Sequence, residues 1–241
     1  MPKQRLDQAM VGRGLVLTRS QAESWIKLGK VKVNDQTVTK SGFLVSDAAA
    51  IELTASEQYV SRAGLKLSSV AQTLRLDFAN KVMLDVGSST GGFTDYALQH
   101  GAAKVIAVEV GKDQLHPSLH GNKRIELHEQ TDIRDIDELS STPDIVVIDV
   151  SFIPLREILP HVARLSAKHT QIVAMVKPQF EAAASNLKHK GVIKNDRMRR
   201  DILKSFEDWA RPHFVIVNKA DSEIAGAKGN LERFYLLKKV V

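Results

Sequence analysis

The 241-residue sequence contains no cysteine, and this absence excludes several chemistries at once. Without thiols the chain can form no disulfide, no cysteine-ligated zinc site and no iron–sulfur cluster. It also cannot use a thiolate as a covalent nucleophile. A cysteine-free composition is compatible with the cytosol, and we expect a cytoplasmic protein.

Long hydrophobic runs are also missing. The longest apolar stretches are the size of a strand, as at residues 145–148 and 172–176, whereas a helix needs about 18 apolar residues to span a bilayer. The first residues are Met-Pro-Lys-Gln-Arg, with no apolar segment behind them that would indicate a secretion signal. These features disfavour a helical membrane pore, and we expect no membrane partner.

Positive charge predominates, with 34 Lys and Arg against 28 Asp and Glu and a formal net charge of +6. Residues 1–55 hold eight basic and five acidic side chains, and residues 188–200 hold six basic and one acidic. Such clusters are typical of nucleic-acid binding, although a solvated helix face is an equal alternative for the second. The candidate RNA-binding residues are Arg5, Arg13, Arg19, Lys27, Lys30, Lys32, Lys188, Lys190, Arg197 and Arg200.

Residues 1–58 predict a small α+β domain. Apolar residues at helical spacing indicate two helices, and Ser20 with Glu23 three residues later would form the capping box of the second. Gly29 would end that helix. The residues that follow predict short strands, which fall at 31–33, from Val38 onward and near 50–53.

From residue 59 to residue 241 strands and helices alternate, which predicts a Rossmann-like, doubly wound α/β sheet. The predicted strands cover residues 82–86, 105–108, 125–128, 145–149, 172–176, 214–217 and 234–240. The predicted helices cover residues 61–74, 92–100, 155–166 and 196–210. Because only a loop separates the last two strands, they should form an antiparallel hairpin at one edge of the sheet.

A glycine-rich turn, residues 85–92, leaves the first of these strands and opens a helix. Its glycines let the backbone approach a ligand closely, at the end of a strand where doubly wound folds bind ligands. The turn lacks the lysine of a phosphate-binding loop and the glycine spacing of a dinucleotide fold. Because Asp85 would repel phosphate, a neutral or cationic nucleoside is the more suitable ligand. The candidate cofactor-binding residues here are Asp85, Gly87, Ser88, Gly91, Gly92 and Phe93.

Two further acidic residues follow the next strands. Glu109 ends the second strand, where a carboxylate can accept hydrogen bonds from both hydroxyls of a ribose. Asp132 lies just after the third strand and could read an adenine amino group. The structural alternative is a tight turn with two ordinary surface acids.

A lysine and an aspartate end two neighbouring strands. Asp149 closes the fourth strand and Lys177 the fifth, so a parallel sheet would place them side by side. A lysine at the end of a hydrophobic strand is costly unless it is paired or useful. A structural ion pair and a catalytic pair are equal alternatives from position alone.

Five segments of the sequence occur in the order found in FtsJ-type ribose methyltransferases. They are residues 61–67 (SRAGLKL), 91–94 (GGFT), the strand that ends at Asp149, the Lys177-Pro178 strand and residues 229–234 (GNLERF). The first part of the chain resembles an S4 RNA-binding domain, on residues 5–7, 13–15 and several positions between 20 and 34. The order of the two domains, an S4 domain followed by an FtsJ-like domain, resembles the architecture of the TlyA family. Members of that family are often labelled haemolysins.

The resemblance implies 2′-O-methylation of ribosomal RNA at a cytidine, with S-adenosylmethionine as cofactor and ribosomal RNA or ribosomal subunits as partner. It also implies a catalytic tetrad, which falls on Lys66, Asp149, Lys177 and Glu232. A neutral lysine amine could take the proton of a ribose hydroxyl, and burial and like charge favour the neutral form. We expect Lys177 to be the base and Lys66 to stabilise negative charge. Asp149 and Glu232 would hold the geometry.

Two alternatives from other functional classes stay open. A cytolysin, which the family label suggests, would need a signal, a spanning segment or an amphipathic lytic helix, and none is found. A non-catalytic RNA-binding protein that keeps the fold would not need the intact tetrad. The eight histidines are scattered without a metal-ligand spacing, so no metal site is expected.

Overall fold

The computed structural model describes residues 3–16, 18–55, 59–184, 191–226 and 229–240. The chain divides into two compact units, Met1–Arg62 and Ala63–Val241. The predicted domain boundary between residues 58 and 59 stays a prediction. Across the described residues, every helix is too short or too polar to cross a membrane.

The described part of unit 1 is built from two helices and short antiparallel strands. The helices are α1 (Leu6–Gly12) and α2 (Arg19–Lys27), and the strands are β1 (Lys3–Arg5), β2 (Val31–Val33), β3 (Gln36–Thr37), β4 (Leu44–Ser46) and β5 (Ile51–Leu53). β1 pairs with β4, while β2 lies between β3 and β5. Leu6, Met10 and Ile26 are fully buried, so the two helices cover a shared apolar core.

The start of α2 shows that the predicted capping box was wrong by two residues. Thr18 is the N-cap, since its side chain accepts the N–H of Gln21 at 3.2 Å and the Gln21 side chain accepts the N–H of Thr18 at 3.1 Å. The sequence offers two polar pairs at capping-box spacing, Thr18 with Gln21 and Ser20 with Glu23. The helix begins at the earlier one.

The hairpin after α2 is also tighter than predicted. Its return strand begins at Gln36 and not at Val38. Asn34 and Asp35 both adopt left-handed backbone angles, with φ of 47° and 65°. Two such residues close a two-residue turn, so the chain reverses at once.

Asp7 is a buried carboxylate at the start of α1, held by two arginines. Arg5 Nη2 lies 2.9 Å and Arg19 Nε 2.8 Å from its Oδ2 atom. The hydrogen bond from Arg5, together with Arg19, lowers the pKa of Asp7 to about 2. These ion pairs tie β1 and α2 to the first turn of α1.

Unit 1 is therefore expected to lose the stabilising contribution of Asp7 in strong acid. A carboxyl with a folded-state pKa of about 2, against an ordinary value of 3.8, contributes stability that is present above about pH 4 and is lost as the pH falls to 2. The contribution is about 2 kcal/mol at most. Urea unfolding is measured on proteins that carry Trp209→Phe, so that Trp25 reports on unit 1. The free energy of unfolding should be higher with Asp7 than with the Asp7→Asn substitution, and this difference should shrink between pH 4 and pH 2. A difference that does not change with pH would contradict this role.

Unit 2 confirms the predicted doubly wound α/β sheet. Its strands are β6 (Val82–Val86), β7 (Lys104–Val108), β8 (Ile125–His128), β9 (Ile145–Ile148), β10 (Gln171–Val176), β11 (Phe214–Asp221) and β12 (Arg233–Lys239). They lie in the order β11-β12-β10-β9-β6-β7-β8. β6 to β10 are parallel, and β12 is antiparallel to both β10 and β11, which is the predicted edge hairpin.

Five α-helices belong to the described sequence from residue 62 onward. They are α3 (Arg62–Ala71), α4 (Gly92–Gln99), α5 (Leu155–Leu165), α6 (Pro178–Ala184) and α7 (Asp196–Ala210). Helix α3 ends at Ala71, before the predicted residue 74, and α6 was not predicted at all. Pro178 at the first position of α6 was an available signal, because proline is favoured where a helix starts.

The chain direction across the sheet fixes where a site can form. From β6 the chain first adds β7 and β8 on one side and then crosses to add β9 and β10 on the other. The order therefore reverses between β6 and β9, where the carboxyl ends of parallel strands leave a crevice. The central strands form an apolar core, with Leu84, Val146 and Val173 fully buried, and Asp149 and Lys177 lie where β9 and β10 end.

Candidate active site

The first lysine–carboxylate pair joins the ends of β9 and β10. Asp149 follows β9 and Lys177 follows β10, and the parallel register of these strands pairs Ile148 with Ala174. Lys177 Nζ lies 2.5 Å from Asp149 Oδ1, and the lysine is only 9% exposed. Since a buried ammonium is costly alone, the carboxylate offsets much of the desolvation.

The second pair joins α3 to the start of β12. Lys66 Nζ lies 2.5 Å from Glu232 Oε2, and the two residues are 8% and 2% exposed. A side chain at Gly226 would meet Glu232 Oε1 at 2.6 Å, so the loop before β12 closes tightly over the carboxylate.

The register of the sheet brings the two pairs together. β12 runs antiparallel to β10 with Arg233 opposite Val176, so the next position places Glu232 opposite Lys177. All four residues of the predicted tetrad therefore lie at the carboxyl edge of β9 and β10. In the sequence the tetrad spans residues 66–232, and the two lysines, Lys66 and Lys177, are 111 positions apart, so only the fold brings the four residues together. Contacts between residues so distant in the sequence are set by the fold and not by any local motif.

Lys177 has two further neighbours besides Asp149. Its Nζ atom donates a hydrogen bond to Ser151 Oγ at 2.7 Å and lies 5.8 Å from the centre of the Phe180 ring. The amine is thus held by a carboxylate, a hydroxyl and an aromatic face.

The glycine-rich turn packs directly against the Asp149 backbone. Gly87 has a φ of +81°, and a side chain there would meet the Asp149 carbonyl oxygen at 2.7 Å. Gly91 has a φ of +84°, and its side chain would meet Leu119 Cδ1 at 2.6 Å. Only glycine satisfies both the backbone angle and the close approach at these two positions.

Asp85 is a fully buried carboxyl beneath this turn. Its Oδ2 atom accepts a hydrogen bond from the Thr94 hydroxyl at 2.7 Å, while its Oδ1 atom and Ser88 Oγ are buried without a hydrogen-bond partner among the described residues. Burial raises the pKa of Asp85 to about 7, and the charges of Asp149 and Glu109 add to the effect against the Thr94 hydrogen bond. Unsatisfied polar atoms so near the turn favour a polar ligand there.

A cavity of about 290 Å³ opens where β6, β7 and β9 end. Of the predicted cofactor and catalytic residues, Gly87, Glu109, Asp132 and Asp149 line it. Its apolar walls come from residues that were not predicted, among them Val108, Val110, Ile133, Val150, Ile153 and Ile158. A slot with apolar walls and three lining carboxylates, Glu109, Asp132 and Asp149, fits a nucleoside that carries hydroxyl and cationic groups.

The remaining predicted cofactor residues are placed outside the cavity lining. Asp85 and Ser88 are buried beneath the turn, and Gly91 and Gly92 begin α4. Phe93 is 2% exposed, and its ring centre lies 6.1 Å from that of Phe234. Phe93 is therefore a core residue in this structure, and its role at the cofactor stays a prediction.

Two of the lining carboxylates, Glu109 and Asp132, have different partners. Glu109 accepts the backbone N–H groups of Ser89 at 2.9 Å and Gly111 at 2.7 Å, which fixes its orientation. Asp132 forms an ion pair with Arg134 at 2.7 Å, and the hydrogen bond from that arginine lowers the pKa of Asp132. Asp132 is thus ionised at neutral pH, and its carboxylate is already paired with Arg134.

The predicted RNA-binding residues fall into two groups. Several make contacts within the protein: Arg5 and Arg19 pair with Asp7, Lys32 lies 3.7 Å from Glu52, and Arg13 donates to the carbonyl oxygens of Ala49, Asp47 and Ser46. Others are exposed, namely Lys27 and Lys30 on unit 1 and Arg197 and Arg200 on α7. Lys188 and Lys190 lie outside the described residues.

Sequence reasoning missed two residues beside Asp149. Ser151 and Phe152 both line the cavity. Phe152 has a φ of 68° and is 91% exposed, and its ring centre lies 5.2 Å from that of Phe180. A large apolar residue in the loop directly after a strand was the available signal, because exposed aromatic side chains often serve recognition.

Known proteins resemble both parts of the chain. The FtsJ-like methyltransferase family matches residues 59–239, and the S4 domain family matches residues 4–51. Hemolysin A of Brachyspira hyodysenteriae is 37% identical over 232 residues, which are 95% of this chain and 97% of that protein. The 16S/23S rRNA (cytidine-2′-O)-methyltransferase TlyA of Mycobacterium tuberculosis is 35% identical over 239 residues, 97% of this chain and 89% of that protein. A solved Streptococcus thermophilus protein described as a candidate hemolysin has 35% identity and a TM-score of 0.72, covering 100% of this chain and 90% of its own.

Proposed function

Because the chain belongs to the TlyA family, with an S4 domain followed by an FtsJ-like methyltransferase domain, we propose that it methylates ribosomal RNA. The methyl group would pass from S-adenosylmethionine to the 2′-hydroxyl of a ribose, at a cytidine as the name of the M. tuberculosis relative states for that protein. The observation that carries the proposal is the meeting of two buried lysine–carboxylate pairs at the carboxyl edge of β9 and β10, where Asp149 of one pair lines the cavity.

The cavity supports the assignment of the cofactor. Glu109 would accept the ribose hydroxyls of S-adenosylmethionine, the backbone around Gly87 would lie against its charged end, and the apolar walls would hold its adenine. When bound, the cofactor supplies an electrophilic methyl group on a cationic sulfur. The lining carboxylates favour a ligand of that charge, and they disfavour a phosphate-bearing nucleotide.

Lys177 is the proposed proton acceptor for the ribose hydroxyl. A hydroxyl is a poor nucleophile until its proton is removed, and a neutral amine at hydrogen-bond distance can remove it. Asp149 and Ser151 hold the Lys177 amine in place at 2.5 and 2.7 Å. The proton moves from the ribose oxygen to Lys177 Nζ as the oxygen gains its methyl group.

Lys66 is the proposed source of positive charge beside the reacting oxygen. Glu232 holds its ammonium at 2.5 Å, in a setting where both residues are nearly inaccessible to water. A fixed charge in such a setting stabilises the negative charge that develops on the ribose oxygen, without reorganisation at the moment of reaction. The two lysines thus have different tasks, and their variants should respond differently.

The exposed cations support an RNA partner. The predicted cations that are exposed and therefore accessible to a phosphate backbone include Lys27 and Lys30 on unit 1 and Arg197 and Arg200 on α7. Phosphate contacts of this kind position an RNA without reading its sequence. We propose that they contribute the salt-dependent part of the affinity for ribosomal RNA.

Phe152→Ala is expected to weaken productive RNA binding. A ring that is 91% exposed at the cavity rim offers a platform on which a base can stack, and stacking of this kind contributes about 1–3 kcal/mol per base. We expect kcat/KM for RNA to fall about 10-fold or more, with Phe152→Tyr close to wild type. Steady-state kinetics on ribosomal RNA measures this. Equal kcat/KM for the alanine variant and wild type would refute the stacking role.

The function itself is tested by incubating the full-length protein with radiolabelled S-adenosylmethionine and RNA. Small and large ribosomal subunits and the naked 16S and 23S RNAs are offered separately, and nuclease mapping locates the label. We expect label in at least one of these RNAs, and none when both Lys66 and Lys177 are replaced by alanine. A wild-type protein that binds the RNAs but labels none of them would favour the non-catalytic alternative.

A further inference from the structure

Ser151 accepts a hydrogen bond from Lys177, and neither the sequence patterns nor the tetrad accounts for it. Its hydroxyl lies 2.7 Å from Lys177 Nζ, and Ser151 itself lines the cavity between Asp149 and Phe152. We infer that Ser151 is a positioning residue, which aims the Lys177 nitrogen at the ribose hydroxyl. The inference rests on the proposed function and names a further residue for it.

The geometry of the amine explains the need for a second acceptor. A neutral lysine nitrogen has two N–H groups and one lone pair, arranged about the bond to its side chain. Ser151 Oγ accepts one N–H group at 2.7 Å, and Asp149 Oδ1, the ion-pair partner 2.5 Å from the nitrogen, attracts the other. With both N–H groups engaged, the lone pair occupies the one remaining direction, where a ribose hydroxyl can meet it.

Asp149 alone would not fix that direction. With a single acceptor, the amine can turn about its last carbon–nitrogen bond and spread the lone pair over two orientations. The backbone supports both acceptors, since the Asp149 N–H donates to the Val86 carbonyl at 2.9 Å and the left-handed Phe152 follows Ser151 directly. Precise alignment of this kind is worth large factors in rate.

The chain contains a matched arrangement outside the cavity. Lys104 Nζ lies 2.5 Å from Glu126 Oε2 and donates to Ser140 Oγ at 2.8 Å. It reproduces the lysine, the carboxylate and the serine, and none of these three residues lines the cavity beside Asp149. The contacts alone therefore define a stable cluster, and the position of Ser151 in the cavity lining is what points to catalysis.

Ser151→Ala tests the inference, with Ser151→Thr as the conservative variant and Ser140→Ala as the matched control. We expect kcat of Ser151→Ala to fall about 10-fold, while KM for RNA is unchanged. The midpoint of the pH dependence of kcat should move to lower pH, because the ammonium form loses an acceptor and a charged donor makes the stronger hydrogen bond. Ser151→Thr should restore both the rate and the midpoint, and Ser140→Ala should change neither.

Two results would overturn the inference alone. One is a Ser151→Ala protein with wild-type kcat and midpoint. The other is a loss of rate with an unmoved midpoint that Ser151→Thr does not restore, which is the mark of a merely structural role. If the wild-type protein transfers no methyl group to any ribosomal RNA, the proposed function fails, and the inference fails with it.

Discussion

Replacing Lys177 with alanine is expected to slow methyl transfer to ribosomal RNA by about 10²–10⁴-fold, the usual contribution of a general base. The cofactor cavity lies on the Asp149 side of this lysine, and Lys177 is not among the residues that line it. Cofactor affinity should therefore stay close to that of the wild type. Single-turnover label transfer measures the rate, and calorimetric titration with S-adenosylmethionine measures the affinity.

Arginine variants separate the tasks of the two lysines. An arginine keeps the positive charge but does not give up its proton near neutral pH, so Lys177→Arg should be as slow as Lys177→Ala. Lys66→Arg keeps the charge that Lys66 is proposed to supply and should retain more activity than Lys66→Ala. Lys204→Ala is the control, since that lysine is 74% exposed on α7 and pairs with Asp208. A Lys177→Arg protein with wild-type rate would exclude Lys177 as the base.

Gly87→Ala is expected to destabilise unit 2 and to abolish most of the activity. A methyl group there would lie 2.7 Å from the Asp149 carbonyl oxygen, and backbone cannot move aside as a flexible side chain can. Together with the left-handed φ, this collision should lower the free energy of unfolding by about 2–5 kcal/mol. The same shift would displace Asp149 from Lys177. Urea unfolding of Trp25→Phe proteins, in which Trp209 reports on unit 2, gives the stability.

Gly121→Ala is the matched control for this effect. Gly121 has a φ of +72°, and a side chain there would meet nothing within 4 Å. It should therefore show only the backbone cost of about 1–2 kcal/mol. Equal losses of stability in the two variants, with unchanged activity for Gly87→Ala, would show that the turn does not need its close approach to Asp149.

Much of unit 2 could be predicted because its strands are short apolar runs bounded by turn residues. The bounds of β8 (Ile125–His128) and α7 (Asp196–Ala210) were predicted to the residue. The neighbourhood of Asp149 and Lys177 followed from one rule, that parallel strands align their carboxyl ends. The antiparallel hairpin followed from the short connection between its strands.

Other features could not be predicted because they depend on competing local signals or on distant contacts. Thr18 and Ser20 were equally good caps, and only the packed helix shows which one is used. The hydrogen bond from Lys177 to Ser151 depends on the path of the loop around Phe152, whose left-handed backbone no pattern announces. The burial of Phe93 against Phe234 likewise depends on β12, which lies far along the chain.

Alkaline hydrolysis of the labelled RNA tests most directly whether the two lysine–carboxylate pairs act on a ribose. Alkali cleaves RNA through a free 2′-hydroxyl, so a 2′-O-methylated nucleotide resists cleavage and is released as part of a dinucleotide. We expect the label transferred by the wild-type protein to appear in such a dinucleotide. Label released in mononucleotides would place the methyl group on a base and contradict the assignment of Lys66, Asp149, Lys177 and Glu232 to ribose methylation.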